Sequence, residues 1–263
     1  MPVVPPAVTL HHRLDGPADA PVLVLSNSLG SDLSMWEEQM PVLSARFRVL
    51  RYDTRGHGAS SVPPGPYRID QLGQDVIRLL DELRIERVHF CGLSMGGLTG
   101  LWLAAHQSAR IGRLVICNSA ARVGSDAIWS KRIEQVRKDG MAAMADVIVP
   151  RWFSAAFYAA QPARMAQLKA VFGATSADGY VANCHALAAA DLRPALATIH
   201  APTLVIGGDH DLSTPPELSH ELQAGIVGAR AVILDAGHLS NIEQPARFTA
   251  ELLAHVSAPS PRD

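Results

Sequence analysis

The sequence predicts an α/β class: a mostly parallel central sheet with helices on both faces, interrupted by a helical insertion. Three observations carry this. Short continuous apolar runs, among them Pro21–Leu25, Val88–Cys91 and Pro202–Gly208, have the signature of strands buried on both faces. Between such runs lie segments with apolar residues at helical spacing, so strands and helices alternate. From Ser125 to about Ala190 the texture changes to a helix-favouring, alanine- and methionine-rich stretch with no convincing buried strand. Residues 1–124 and 191–263 are therefore expected to form the core, and 125–190 a helical lid over the strand edges.

The elements follow in order. Val8 to Leu14 reads as an antiparallel strand, closed by a turn at Asp15-Gly16-Pro17. Pro21–Leu25 is a buried strand ending in the turn-rich loop Ser26–Asp32. Trp36 to Leu43 reads as one helix and Phe47–Tyr52 as the next strand. Ile69 to Leu83 is an amphipathic helix, with Leu72, Val76, Leu79, Leu80 and Leu83 on one face. Val88–Cys91 is a strand, Gly97–His106 a helix and Leu114–Cys117 a strand. After the insertion come the strand Pro202–Gly208, the helix Glu217–Ala224 and the strand Ala231–Leu234. A final helix opens at Pro245, since proline suits a first helical turn. The tail Ser257–Asp263 is expected to fray.

The chain of 263 residues carries 23 Lys+Arg against 25 Asp+Glu, a net charge of −2, which argues against a nucleic-acid or anionic-membrane partner. Three scattered cysteines make neither a disulfide frame nor a zinc site. The start, Met1–Pro6, lacks the charged and apolar regions of a signal peptide. No run approaches about 18 uninterrupted apolar residues, so no membrane span is expected. These features lead to the expectation of a soluble cytoplasmic protein without metal; the sequence does not disclose its oligomeric state.

The chemistry centres on Gly92-Leu93-Ser94-Met95-Gly96, a G-x-S-x-G pattern between a strand and a helix. Such a turn strains its central residue and exposes the serine beside a helix N-terminus. Side chains two positions before and after would collide, hence the glycines. Serine needs a base, and the base an orienting group. Past the ends of later strands lie Asp209 and Asp211, then His238. His57, His106, His185 and His210 read as structural or surface groups, with His57 bracing its own glycine-rich turn.

The order Ser, Asp, His resembles that of α/β-hydrolases, as do Asp53-x-Arg55-Gly56-His57-Gly58-x-Ser60, the Gly207-x-x-x-Asp211 loop and Asp235-Ala236-Gly237-His238. The resemblance spans nearly the whole chain and implies an α/β-hydrolase fold. Ser94 is then the expected nucleophile and His238 the base. Asp211 is favoured over Asp209 as the orienting acid. The Met95 N–H is expected as one oxyanion donor and the Leu29 N–H as the other. Ser28 is the alternative second donor, and Asn27 could add a side-chain contact. The loop Ser26–Trp36, with Cys91–Gly97 and Asn118-Ser119-Ala120, is similar to that of 3-oxoadipate enol-lactonases. That resemblance implies opening of an enol-lactone ring in aromatic catabolism, the β-ketoadipate pathway, without a cofactor. Arg132 and Arg151 are then candidates for the substrate carboxylate and Trp152 for an apolar wall. Other small-ester, lactone or C–C bond hydrolases, and a slow lactone-binding receptor, are the rival readings. A dehalogenase is disfavoured, because the turn carries serine rather than a carboxylate.

Overall fold

The computed structural model describes residues 8–258. The expectations for the start Met1–Pro6 and for residues 259–263 of the tail lie outside them. Seven strands form one sheet: β1 (His12–Asp15), β2 (Val22–Ser26), β3 (Arg48–Tyr52), β4 (Val88–Leu93), β5 (Ile111–Cys117), β6 (Thr203–Gly208) and β7 (Arg230–Leu234). Their spatial order is β1-β3-β2-β4-β5-β6-β7. Only β1 runs antiparallel, pairing His12 with Tyr52, and every other pair is parallel. The C-terminal ends of β2, β4, β5, β6 and β7 therefore share one rim, where open parallel sheets gather their ligands.

The helices are α1 (Met40–Leu43), α2 (Ile69–Glu82), α3 (Met95–His106), α4 (Asp126–Ile148), α5 (Ala155–Ala160), α6 (Pro162–Ala174), α7 (Ala177–Ala189), α8 (Pro216–Gly225), α9 (Ser240–Glu243) and α10 (Pro245–Val256). Helix α3 packs on β2, β4 and β5 with α2 against it, α8 packs on β6 and β7, and α10 packs on β5 and β6. The strands between them are dry: Leu23, Val24, Leu25, Phe90, Leu114, Val115 and Ile116 are wholly buried. At about 25 cal/mol per Å² of apolar surface, this central layer is the main source of stability. Among the described residues no helix is long and apolar enough to cross a membrane.

Two local expectations are corrected. The single helix expected over Trp36–Leu43 is instead a 3₁₀ turn, Leu33–Trp36, followed by the short α1. Pro41 cannot donate an amide hydrogen bond and so starts a helix rather than continuing one. The Asp32 carboxylate caps the 3₁₀ turn through the Ser34 N–H at 2.9 Å. Helix α3 begins at Met95, two residues earlier than expected, so it springs directly from the serine.

The stretch 125–190 is helical, α4 to α7, and it rests on the sheet rim. Gly56 and Gly179 meet backbone to backbone: a Cβ on Gly179 would stand 2.3 Å from the Gly56 carbonyl oxygen. The Asn183 amide donates to the Arg55 carbonyl at 2.8 Å. Trp152, Phe172 and Tyr180 pack edge to face, with centroids 5.8 and 5.3 Å apart.

Candidate active site

Ser94 sits at the β4–α3 turn with φ 56° and ψ −113°. Non-glycine residues are seldom found there, and such strain persists only where the surroundings enforce it. They do: the Ser94 N–H donates to the Cys117 carbonyl at 2.9 Å, and the Ser119 hydroxyl donates to the Ser94 carbonyl at 2.7 Å. The flanking glycines are sterically compelled. A Cβ on Gly92 would lie 2.1 Å from the Gly96 carbonyl oxygen, and one on Gly96 2.2 Å from that of Ser26. Ser94 Oγ makes no hydrogen bond to the described residues and opens into a cavity of about 130 Å³. His238 lines that same cavity, with Ser28, Leu29, Trp129, Arg132 and Trp152 among its walls.

Behind His238 stands Asp211. Its Oδ2 lies 2.8 Å from His238 Nδ1, and both side chains are buried. Asp211 Oδ1 accepts the Ser213 and Thr214 N–H groups at 2.7 and 2.9 Å. Oδ2 also accepts the Thr214 hydroxyl at 2.7 Å and the Asn118 amide at 3.1 Å. Burial pushes this carboxyl up, but the charge of His238, its hydrogen bond and the Thr214 donors prevail and leave it at about 2. The rival acid, Asp209, is exposed; its Oδ1 accepts the Ala236 N–H and lies 3.6 Å from His210. The structure thus brings Asp211, and not Asp209, to His238.

The loop after β2 borders the same cavity through Ser28 and Leu29. The Ser28 N–H points to the Met35 sulfur at 3.4 Å, and the Gly30 N–H donates to His57 Nε2 at 2.9 Å. Across the turn, the Gly96 N–H donates to the Asn27 carbonyl at 3.0 Å. The Leu29 and Met95 N–H groups, lying between these, have no acceptor among the described residues. Leu29 lines the same cavity as Ser94, and Met95 follows Ser94 directly in the chain. Asn27 is a correction. Its side chain donates to the Tyr52 carbonyl at 2.8 Å and accepts the Trp36 indole N–H at 2.9 Å. It is fully buried and braces the loop instead of facing the cavity.

The Asp53–Ser60 motif supports this loop from below. Asp53 accepts the Leu33 N–H at 2.8 Å and the Ala59 N–H at 3.0 Å. His57 reaches beyond its own turn to hold Gly30. Because Nε2 accepts a hydrogen bond, the proton resides on Nδ1, which faces the Arg55 carbonyl at 3.4 Å. Burial pushes the His57 imidazole down to about 4, so it is neutral.

On the far wall, the half-buried Arg132 donates to the Tyr180 hydroxyl at 3.1 Å and pairs with no carboxylate among the described residues. Arg151 lines the same cavity and is exposed; Trp152 is buried. Asn118, Ser119 and Thr214 hold the site together but were not singled out for that work from sequence. The hint for Asn118 is its polarity immediately after a buried strand.

A profile of the family described as alpha/beta hydrolase fold matches residues 21–245. The chain belongs to that family. This α/β-hydrolase is a hydrolytic enzyme, and its relatives differ in what they act upon. It is 46% identical over 241 residues to 3-oxoadipate enol-lactonase 2 of Acinetobacter baylyi, covering 92% of this chain and 90% of the relative. The crystal structure of the enol-lactonase from Burkholderia xenovorans LB400 superposes with a TM-score of 0.95 at 50% identity, covering 97% and 98% of the two chains. A putative carbamate hydrolase, RutD, of Pseudomonas savastanoi pv. phaseolicola is 33% identical, covering 92% of this chain and 95% of the relative.

Proposed function

We propose that this hydrolase opens 3-oxoadipate enol-lactone to 3-oxoadipate by a serine mechanism, in the cytoplasmic breakdown of aromatic compounds. The observation that carries the reading is the cavity itself. It joins Ser94, His238, Leu29 with its unpartnered N–H, and a half-buried arginine without a carboxylate partner. At about 130 Å³ it is well below the roughly 300–1,000 Å³ of sites for drug-sized ligands. A compact acidic lactone suits both its size and its cation. The two enol-lactonase likenesses add weight.

The mechanism follows from the groups present. Ser94 Oγ attacks the lactone carbonyl carbon while His238 takes its proton through Nε2. Asp211 holds Nδ1–H and stabilises the imidazolium. The oxyanion is received by the Leu29 and Met95 N–H groups, each worth on the order of 3 kcal/mol. Collapse of the tetrahedral species breaks the ring C–O bond, and His238 returns the proton to the departing enolate. The enol becomes a ketone, leaving an acyl group on Ser94. Water, deprotonated by His238, attacks that ester and frees the second carboxylate. Residues 125–190 act as the cap over this chamber, with Arg132, assisted by Arg151, receiving the pre-existing carboxylate and Trp152 supplying the apolar wall.

A carbamate is the second reading, favoured by the RutD likeness. The test compares kcat/KM for the enol-lactone, a small carbamate and neutral p-nitrophenyl esters, in the native enzyme, Ser94→Ala and Arg132→Ala. The expected result is preference for the lactone, abolished turnover in Ser94→Ala, and a KM increase confined to the acidic substrate in Arg132→Ala. Faster turnover of the carbamate or the neutral esters would refute the assignment.

A further inference from the structure

The end of β5 holds a residue for which the proposed mechanism has no part. Asn118 follows Cys117 directly, is fully buried and has φ 43°. Its backbone N–H donates to the Ile206 carbonyl of β6 at 2.7 Å. Its side-chain nitrogen donates to Asp211 Oδ2 at 3.1 Å and to the Gly237 carbonyl at 3.1 Å. Its side-chain oxygen accepts the Ser240 hydroxyl at 2.5 Å. Next along the chain, Ser119 holds the carbonyl of Ser94. One dipeptide thus touches the serine turn, the acid loop and the histidine loop.

We infer that Asn118 is a positioning residue that locks the Asp211 and His238 loops to the strand beside the nucleophile and aims the Asp211 carboxylate at the imidazole. The inference rests on reading Ser94, Asp211 and His238 as the catalytic groups. The choice of residue follows from its valences. Asparagine has two N–H hydrogens for two acceptors, Asp211 and Gly237, and a carbonyl for the Ser240 hydroxyl. An ionised aspartate has no donor, and serine has only one. Asparagine also tolerates left-handed backbone better than most residues.

The role has an electrostatic consequence. Asp211 Oδ2 takes donors from His238, Thr214 and Asn118. Removing the Asn118 donor leaves more negative charge facing His238, which stabilises the imidazolium, so the base is disabled at higher pH. The other groups facing His238 are untouched by the change. They are Arg132, Arg151 and Tyr180 across the cavity, and Glu243, which accepts the Gly237 N–H at 2.8 Å.

The experiment measures kcat/KM against pH with p-nitrophenyl acetate for the native enzyme, Asn118→Gly, Asn118→Ser and Ser94→Ala, alongside each melting temperature. Glycine keeps the left-handed backbone while deleting the side chain, and serine provides a second folded variant. Both asparagine variants are expected to lose roughly 10- to 100-fold on the plateau and to shift the acid limb upward by about 0.5–1 pH unit. An acid limb coincident with the native one, with activity lost only as the melting temperature falls, would reduce Asn118 to a structural residue and overturn the inference. Turnover retained in Ser94→Ala would instead sink the underlying catalytic reading. An inactive Ser94→Ala with an unmoved limb in the Asn118 variants sinks this inference alone.

Discussion

His57 is expected to make the protein lose stability on mild acidification, and Gln at this position should remove that sensitivity. The imidazole is held at about 4 in the folded chain, largely by burial, against about 6.5 when unfolded. Since the folded value is the lower, the unfolded chain binds more protons between these limits. Stability is therefore intact above pH 6.5 and falls as the pH drops towards 4. Integrating the linkage from pH 7 to pH 4.5 gives a loss of about 2 kcal/mol from this residue alone. Asp211, held at about 2, acts in the same sense but at lower pH: its contribution is present above the ordinary carboxylate value and is lost only as the pH falls from there to about 2, below this window. His89 and His255 are also pushed down by burial, but they are common to both proteins. The assay is urea unfolding of native enzyme and His57→Gln at pH 7 and pH 4.5. Gln retains an oxygen to accept the Gly30 N–H, so the two proteins should be similar at pH 7. At pH 4.5 the native enzyme should have lost about 2 kcal/mol more than the variant. Parallel losses would show that the imidazole is not buried neutral behind the Leu29–Gly30 loop. His57→Ala should cost a further 1–3 kcal/mol or so at both pH values, because it strands the Gly30 N–H.

Two further outcomes are expected. Asp211→Asn should lower kcat/KM for p-nitrophenyl acetate by about 10⁴-fold, since the amide cannot hold the required imidazole tautomer; a loss below tenfold would point to another orienting acid. Gly237→Ala should destabilise by about 1–3 kcal/mol in urea, because its Cβ would meet Phe153 Cα and the Trp152 carbonyl oxygen, each at 2.7 Å. The same variant should slow turnover, as the displaced loop carries His238; native kinetics with native stability would contradict the close approach.

What the sequence disclosed and what it withheld divide along the range of the interaction. The serine turn was legible because its cause is local: Gly92 and Gly96 are required by atoms within the same hairpin of chain or one strand away. The buried strands were legible because burial on both faces writes a continuous apolar run. The single helix expected at Trp36–Leu43 failed because the loop is organised by distant partners: Asn27 anchors Trp36, and Asp53 draws in the Leu33 N–H. No periodicity records those bonds. Nor does it record that His57 serves a loop 27 residues away, or that Asn118 joins two loops 93 and 119 residues away. Yet one such contact left a trace. Gly179 lies in the first turn of α7, where alanine would be favoured by up to about 1 kcal/mol, and it neither caps the helix nor has positive φ. A helical glycine without a local reason implies a tertiary one, here the backbone of Gly56 pressed against it. Reading glycine as a contact, and not only as a turn, would have located the docking of 125–190 on the Asp53–Ser60 motif. It would also have placed that stretch directly above the loop carrying the Leu29 N–H.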